Sequence, residues 1–245
     1  MSRCNLAGSL RRLAAFAAAG LAVTGSLHAS AQVPPAAADV ARYSGLHAAA
    51  WRGDLEQLRR LIATGPDVNA RDSYGRTPLH VATFAKQRDV IQMLVKAGVD
   101  LSALENDQYD AVTIAAVAGD EETLRVLLSL GANPKLITSR YDGTALIAAA
   151  HLGHVGVVKQ LIAAGAPLDH VNNLHWTAVI ESIVLGDGGM RHEETLRALI
   201  AAGASVRLAD RQGKTPLMLA RARGYQRMVR MLEDANSSGR VSANP

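Results

Sequence analysis

Thr77-Pro78-Leu79-His80-Val81-Ala82 is the stretch from which the architecture unfolds. A hydroxyl residue followed by proline sets an N-cap beside the first helical position, where the missing proline N–H leaves nothing unsatisfied. The stretch has counterparts along the chain. Leu46, Leu79, Val112, Leu146, Val179 and Leu217 each open an Ala-rich segment, and Thr215-Pro216 repeats the Thr-Pro start. A second series keeps the same phase. Gly65, Gly98, Gly131, Gly165 and Gly203 recur at intervals of 33, 33, 34 and 38 residues, each after a Leu-rich amphipathic stretch. Self-similarity at this period marks stacked repeats. Six units are expected, starting near 44, 77, 110, 144, 177 and 215 and filling 44–236.

Each unit reads helix, turn, helix. Gly53, Gly119, Gly153 and Gly224 end a short first helix, and Asp54, Asp89 and Asp120 place negative charge near the start of the second. The second helix carries apolar residues at helical spacing, as in Leu55, Leu58, Leu61 and Ile62, or Val157, Val158, Leu161 and Ile162. Two units depart from the pattern. The third has Asp110-Ala111-Val112-Thr113 at the Thr-Pro-Leu-His position, and the second has Lys86 at the inter-helix glycine. In the last unit Arg221 replaces the alanine found at Ala50, Ala116 and Ala150, and Arg223, Arg227 and Arg230 follow, as a solvent-facing terminal repeat requires.

Composition agrees. The chain has 245 residues, 49% hydrophobic and 4% aromatic, so its core is built from Ala, Leu, Val and Ile, and it is not a disordered composition. The 26 Lys+Arg exceed the 22 Asp+Glu, but three arginines, Arg3, Arg11 and Arg12, precede the apolar run Leu13 to Val23, and Ala29-Ser30-Ala31 completes the pattern of a cleaved export signal over 1–31. The run is 11 residues, and a membrane span needs roughly 20. Loss of this segment leaves 23 basic against 22 acidic residues, which disfavours a strongly basic nucleic-acid-binding domain. It also removes Cys4, the sole cysteine, and with it any disulfide, thiol nucleophile or thiolate metal site. Residues 32–43, with Pro34-Pro35, read as a flexible tether, and 237–245 as a disordered tail. From Arg207 onward eight basic residues face three acidic ones, whereas Gln32 to Val206 has fifteen against nineteen, a polarity suited to steering an acidic partner toward the C-terminal end.

These units resemble the ankyrin repeat, whose hallmark is Thr-Pro-Leu-His-x-Ala followed by a Leu-rich helix and Gly-Ala-Asp. The resemblance implies an all-α solenoid of paired antiparallel helices with short β-hairpin-like loops and no large sheet. It gives His47, His80 and His154 structural roles. It also implies binding of a protein partner through the concave face and the hairpin tips. Carried over residue by residue, the first-helix positions are Trp51, Arg52, Phe84, Val117, His151 and Val184, and the hairpin positions are Tyr74, Arg76, Tyr109, Arg140, Tyr141, His175 and Trp176. Tyr, Trp and Arg are the types that most often dominate binding energy.

Catalytic signatures are scarce: there is no G-x-S-x-G, no H-E-x-x-H and no phosphate-binding glycine loop of the usual spacing. Neither catalytic residue, cofactor nor metal is expected. The fifth unit alone is lengthened, by Gly186-Asp187-Gly188-Gly189-Met190-Arg191-His192 between its helices. Asp187, His192, Glu193 and Glu194, with His170 and His175, are potential ligands, but their spacing matches no ligand motif. Glu181 falls where other units have Ala48, Val81, Ile114, Ala148 and Leu219, and a carboxylate there must find a donor or reach water. The expected donors are backbone amides of the Gly186 to Gly189 loop.

The leading functional expectation is a monomeric, non-enzymatic, periplasmic protein-binding module, with no nucleic-acid partner and no stable membrane insertion of the mature chain. By analogy with exported bacterial proteins of this family, an accessory role in oxidative-stress defence is included. The alternatives are a secreted effector that binds host proteins and a metal-dependent enzyme that uses the 186–192 insertion.

Overall fold

The computed structural model describes residues 34–241, so the expected leader over 1–31 lies outside the described residues. Thirteen helices appear among them: a short α1 (Ala37–Arg42), then six pairs. These are α2 (Gly45–Arg52) with α3 (Leu55–Ala63), α4 (Pro78–Phe84) with α5 (Arg88–Lys96), and α6 (Ala111–Val117) with α7 (Glu121–Ser129). There follow α8 (Ala145–Leu152) with α9 (Val155–Ala163), α10 (Ala178–Val184) with α11 (Met190–Ala201), and α12 (Pro216–Ala222) with α13 (Gln226–Val241). The first helices begin after Ser44, Thr77, Asp110, Thr144, Thr177 and Thr215, all in extended conformation. In the unit that lacks Thr-Pro, Asp110 accepts the Thr113 amide at 2.8 Å, so the start signal survives in different chemistry.

Within each pair the chain passes through a left-handed residue: Gly53, Gly119, Gly153, Gly188 and Gly224 at φ of 63° to 72°, and Lys86 at φ 58°. Helices α2, α4, α6, α8, α10 and α12 pack in series as one row, and α3, α5, α7, α9, α11 and α13 as a second. Buried alanines such as Ala50, Ala82, Ala116, Ala150 and Ala220 let first-row helices approach closely, and Leu58, Leu94, Leu127, Leu161, Leu199 and Leu232 fill the space between rows. Each fully buried leucine contributes roughly 1.5–3 kcal/mol relative to exposure. Much of this burial depends on the neighbouring unit, so single units have little stability of their own.

The connecting loops also stack. Asn106 N donates to Tyr74 O at 3.0 Å, Ser139 N to Gln108 O at 2.8 Å, and Asn173 N to Tyr141 O at 2.9 Å. Among the described residues the loops contain one isolated antiparallel bridge, Thr138 with Gly143. His80 ties its own helix to the next loop. Its Nδ1 accepts from Thr77 N at 3.0 Å, and its Nε2 donates to Ala103 O at 3.0 Å and Tyr109 O at 3.2 Å. Burial lowers its pKa to about 4, so the ring is neutral and structural. His47 Nε2 donates to Arg76 O at 2.9 Å in the same way.

Two terminal expectations are corrected. Residues 37–42 of the expected tether form α1: Asp39 pairs locally with Arg42 Nη2 at 2.6 Å and gains from the array a partner that a free tether lacks, Arg76 Nη2 at 3.5 Å. Tyr43 Oη donates to Asp72 Oδ2 at 3.1 Å beside it. At the other end α13 continues to Val241, past the expected boundary at 236. No helix among the described residues is long and apolar enough to cross a membrane.

Candidate functional site

Equivalent positions of packed first-row helices fall on one line. Trp51, Phe84, Val117, His151 and Val184 all sit at or next to the C-terminal end of their helix, and all are partly exposed. They differ in what supports them. Trp51 packs against the central apolar cluster, whereas Phe84, Val117 and Val184 do not belong to it. Arg52 is exposed and donates to Gln57 Oε1 at 2.7 Å. The stripe therefore has an anchored end at Trp51 and three apolar residues not committed to the core.

The hairpin residues divide similarly. Tyr74 is 47% exposed and Tyr141 42%. Arg140 and His175 are exposed, and Arg140 pairs with Asp107 of the preceding loop. Tyr109 and Trp176 are half-buried. His175 takes φ 63° and Gln108 φ 65°, the place where Gly75 and Gly213 give other hairpins their turn. Arg76 is the correction: it is 3% exposed, its Nε donates to Asp72 Oδ2 at 2.7 Å, and its guanidinium lies 4.3 Å from the Tyr74 ring centroid. Its hydrogen-bonding capacity is turned inward, so it presents Tyr74 instead of meeting a partner. Sequence reasoning missed Ile137, Val171, Leu174 and Leu208, exposed on the same loops, and Met218 on α12. Loop residues outside a regular helix carry no periodicity that would have flagged them.

The fifth unit joins this surface to an unusual polar cluster. Glu181 does not reach the insertion loop. Its Oε1 accepts from Asn172 Nδ2 at 3.0 Å, and its Oε2 is buried without a hydrogen-bond partner, 3.8 Å from His151 Nδ1. Desolvation raises its pKa to about 7, against a lowering by the Asn172 bond. Burial and the nearby His192 lower that of His151. Asn172 stands where other hairpins have Asp72, Glu105 and Asp210, whose carboxylates accept loop amides. Its Oδ1 does the same for Leu174 N and Trp176 N at 3.0 Å, leaving the amide NH2 to serve Glu181. A carboxylate at 172 would lack the N–H donors that Asn172 offers Glu181 and would set two acids against each other.

The insertion is held by other groups. Asp187 Oδ1 accepts Gly189 N at 2.8 Å, and His192 Nδ1 lies 2.8 Å from the same oxygen. His192 Nε2 donates to His151 O at 2.9 Å. His154 makes the equivalent bond to Val117 O at 3.1 Å, and Gln87 Nε2 to Trp51 O at 3.3 Å. His192 thus performs, from inside α11, the linking task that the residue before the second helix performs elsewhere. Tyr225 Oη donates to Gly186 O at 3.0 Å and closes the loop from the next unit. The potential metal ligands are dispersed: His170 donates to Asp142 O, Glu193 pairs with Arg227, and Glu194 with Arg197. No three of the described His, Asp or Glu side chains converge as a metal site.

Known proteins share this architecture. The family described as ankyrin repeats matches in three copies, over residues 46–138, 112–189 and 146–240. The ankyrin repeat protein YahD of Escherichia coli strain K12 is 33% identical over 186 residues, which is 75% of this chain and 92% of YahD. A crystal structure of an ankyrin repeat domain from Acinetobacter baumannii AYE is 42% identical, with TM-score 0.74, and covers 78% of this chain and 97% of that one. The ankyrin repeat domain of Bcl-3 is 25% identical with TM-score 0.72 and covers 79% and 86%. With the helix pairs, the stacked hairpins and the buried Thr-Pro-Leu-His unit in register over most of its length, the chain belongs to the ankyrin-repeat family, whose repeats form protein–protein interaction modules.

Proposed function

We propose that this chain is a non-enzymatic binding module that holds a partner protein against the first-helix stripe and the hairpin tips, in the bacterial periplasm. The observation that carries the proposal is where the large apolar side chains emerge. Of eight that are exposed among the described residues, six (Tyr74, Ile137, Tyr141, Val171, Leu174 and Leu208) lie on loops between units. The other two, Met190 and Met218, lie on α11 and α12, and the second-row helices α3 and α7 expose charge, as at Glu56, Arg59, Glu122 and Arg125. Scattered apolar residues are ordinary on any surface, but their alignment on one side marks a contact face. The stripe residues Phe84, Val117 and Val184, uncommitted to the core, extend that side.

A photo-crosslinking residue at position 84 or 184 is expected to capture the same partner in cells, while one at 59 or 125 captures none. Capture from the second row alone would refute the assignment of the face. The periplasmic setting rests on the Arg-rich, apolar and small-residue segments of 1–31. Mature protein recovered from the periplasm and beginning at Gln32 is the expected result; a cytoplasmic chain that retains Met1 would contradict it. The accessory role in oxidative-stress defence predicts greater peroxide killing of a deletion strain, reversed by the intact gene.

A further inference from the structure

We propose that Glu181 and His151 form a receptor for one basic side chain, a lysine ammonium or arginine guanidinium, which the partner protein inserts into the face between the fourth and fifth units. The proposal rests on the protein-binding reading above and names the chemistry of the contact.

Three observations carry it. The first is an incomplete carboxylate. Glu181 is 4% exposed and Oε2 has no donor, although a buried carboxylate normally collects several. The other first helices have apolar residues at this position, so the array itself has no need of an acid here. The second is the neighbour. His151 Nδ1 at 3.8 Å is beyond hydrogen-bonding distance, and among the described residues its ring makes no hydrogen bond. The ring is a quarter exposed, belongs to the stripe, and can rotate aside without breaking a bond. The third is charge. Residues 32–206 hold nineteen acidic against fifteen basic side chains, so a cation approaching this part of the array is attracted.

A cation is the group that completes the site. Oε2 needs an N–H donor, and a charged donor to a desolvated carboxylate forms a short, strong bond. An apolar side chain would leave the oxygen unsatisfied, and an acidic one would place two carboxylates together. The groups set against Glu181 are Asn172 from the hairpin and His151 from α8, and no charge from α11 or α12 acts on it. Ionisation of Glu181 near neutrality therefore belongs to the carboxylate and its desolvation, and a cation is bound more tightly at pH 8 than at pH 6.

The test uses the full chain and capped pentapeptides with a central arginine, lysine or citrulline flanked by alanines, titrated at pH 8. The Glu181 carboxyl and His151 ring resonances are followed by NMR. Saturable shifts are expected with arginine or lysine, with citrulline bound at least about tenfold more weakly because it keeps the shape without the charge. Glu181→Gln, which preserves the Asn172 acceptor, is expected to abolish the response; Glu181→Leu, the residue of the sixth unit at this position, gives the same result with a larger change in chemistry. Equal binding of citrulline, binding undiminished in Glu181→Gln, or no response to either basic peptide would overturn the proposal. Partner capture through positions 84 and 184 that persists in Glu181→Gln would remove this inference and leave the protein-binding face intact.

Discussion

Lys86 and Glu181 show two ways in which one residue strains an otherwise regular array. At Lys86 the cost is conformational: φ of 58° is easy for glycine and unfavourable for a residue with a Cβ. Lys86→Gly is expected to stabilise the protein by about 0.5–1 kcal/mol, read as a higher urea midpoint with an unchanged slope. Gly119→Ala is expected to do the reverse, since φ is 63° and the new Cβ meets the His154 ring at 3.0 Å. At Glu181 the cost is electrostatic. Its pKa is near 7 in the folded chain against 4.5 for an ordinary glutamate, so between these values the native state keeps a proton that the unfolded state has lost. Stability from this group therefore falls as pH rises through that window. Glu181→Gln should be close to neutral at pH 4 and more stable than the parent by about 2–3 kcal/mol at pH 8. His80 has the opposite sign, because its lowered pKa makes stability rise with pH between about 4 and 6.5. It is present in both proteins and cancels in the difference. A pH-independent difference in unfolding free energy would show that Glu181 is not strained by burial.

Two elements are shaped by bonds that reach across units. Helix α1 is held at the start of the array by the buried Arg76, which faces both Asp39 and Asp72. Several bonds support Asp72: Arg76 N and Tyr74 N donate to its Oδ1, and together with the Arg76 side chain they outweigh desolvation and hold its carboxyl below the ordinary range. Arg76→Ala leaves the poorly hydrated Asp72 carboxylate without a guanidinium and Asp39 with Arg42 alone, and is expected to cost about 3 kcal/mol in chemical denaturation. A cost near zero would mean that α1 is not docked through this cluster. The lengthened connection before α11 gives a second case. Tyr225→Phe removes one hydrogen bond to Gly186 O and should cost about 1 kcal/mol, with faster amide exchange confined to 186–189. Glu181→Gln should leave the same amides unchanged, since its carboxylate is turned toward Asn172 and His151.

Across the whole array, the packed core and the proposed binding face use different sides of the same helices. Trp51 packs on the apolar cluster, so Trp51→Ala is expected to lose about 2–4 kcal/mol. Phe84 occupies the equivalent position of the next unit without belonging to that cluster, and Phe84→Ala should cost less than about 1 kcal/mol while reducing partner capture. The reverse order in thermal unfolding would show that Phe84 is the packing residue. Because each unit touches only its neighbours, a lesion in one interface propagates by uncoupling the units on either side. The basic C-terminal end is less free than its composition suggests: Arg221 pairs with Glu233, Arg227 with Glu193, and Arg211 donates to Asn173 O.

The repeat, its phase and the start of every first helix are legible in the amino-acid sequence. Each depends on signals between residues a few positions apart: caps, turn residues and helical spacing. The third unit departs from the Thr-Pro pattern in sequence, and the structure shows Asp110 capping its first helix through the Thr113 amide. It is the stacking of units that makes 37–42 a docked helix, turns Arg76 inward, brings Asn172 to Glu181, and lets His192 and Tyr225 hold the insertion. The decisive bonds there join residues 37, 41 and 39 positions apart, from Asp39 to Arg76, His151 to His192 and Gly186 to Tyr225. The Asn172 to Glu181 pair spans only 9, but it connects a loop to a helix. Local chemistry sets where helices begin and end, whereas the partner of a buried polar group depends on which surface the stacked neighbour brings to it.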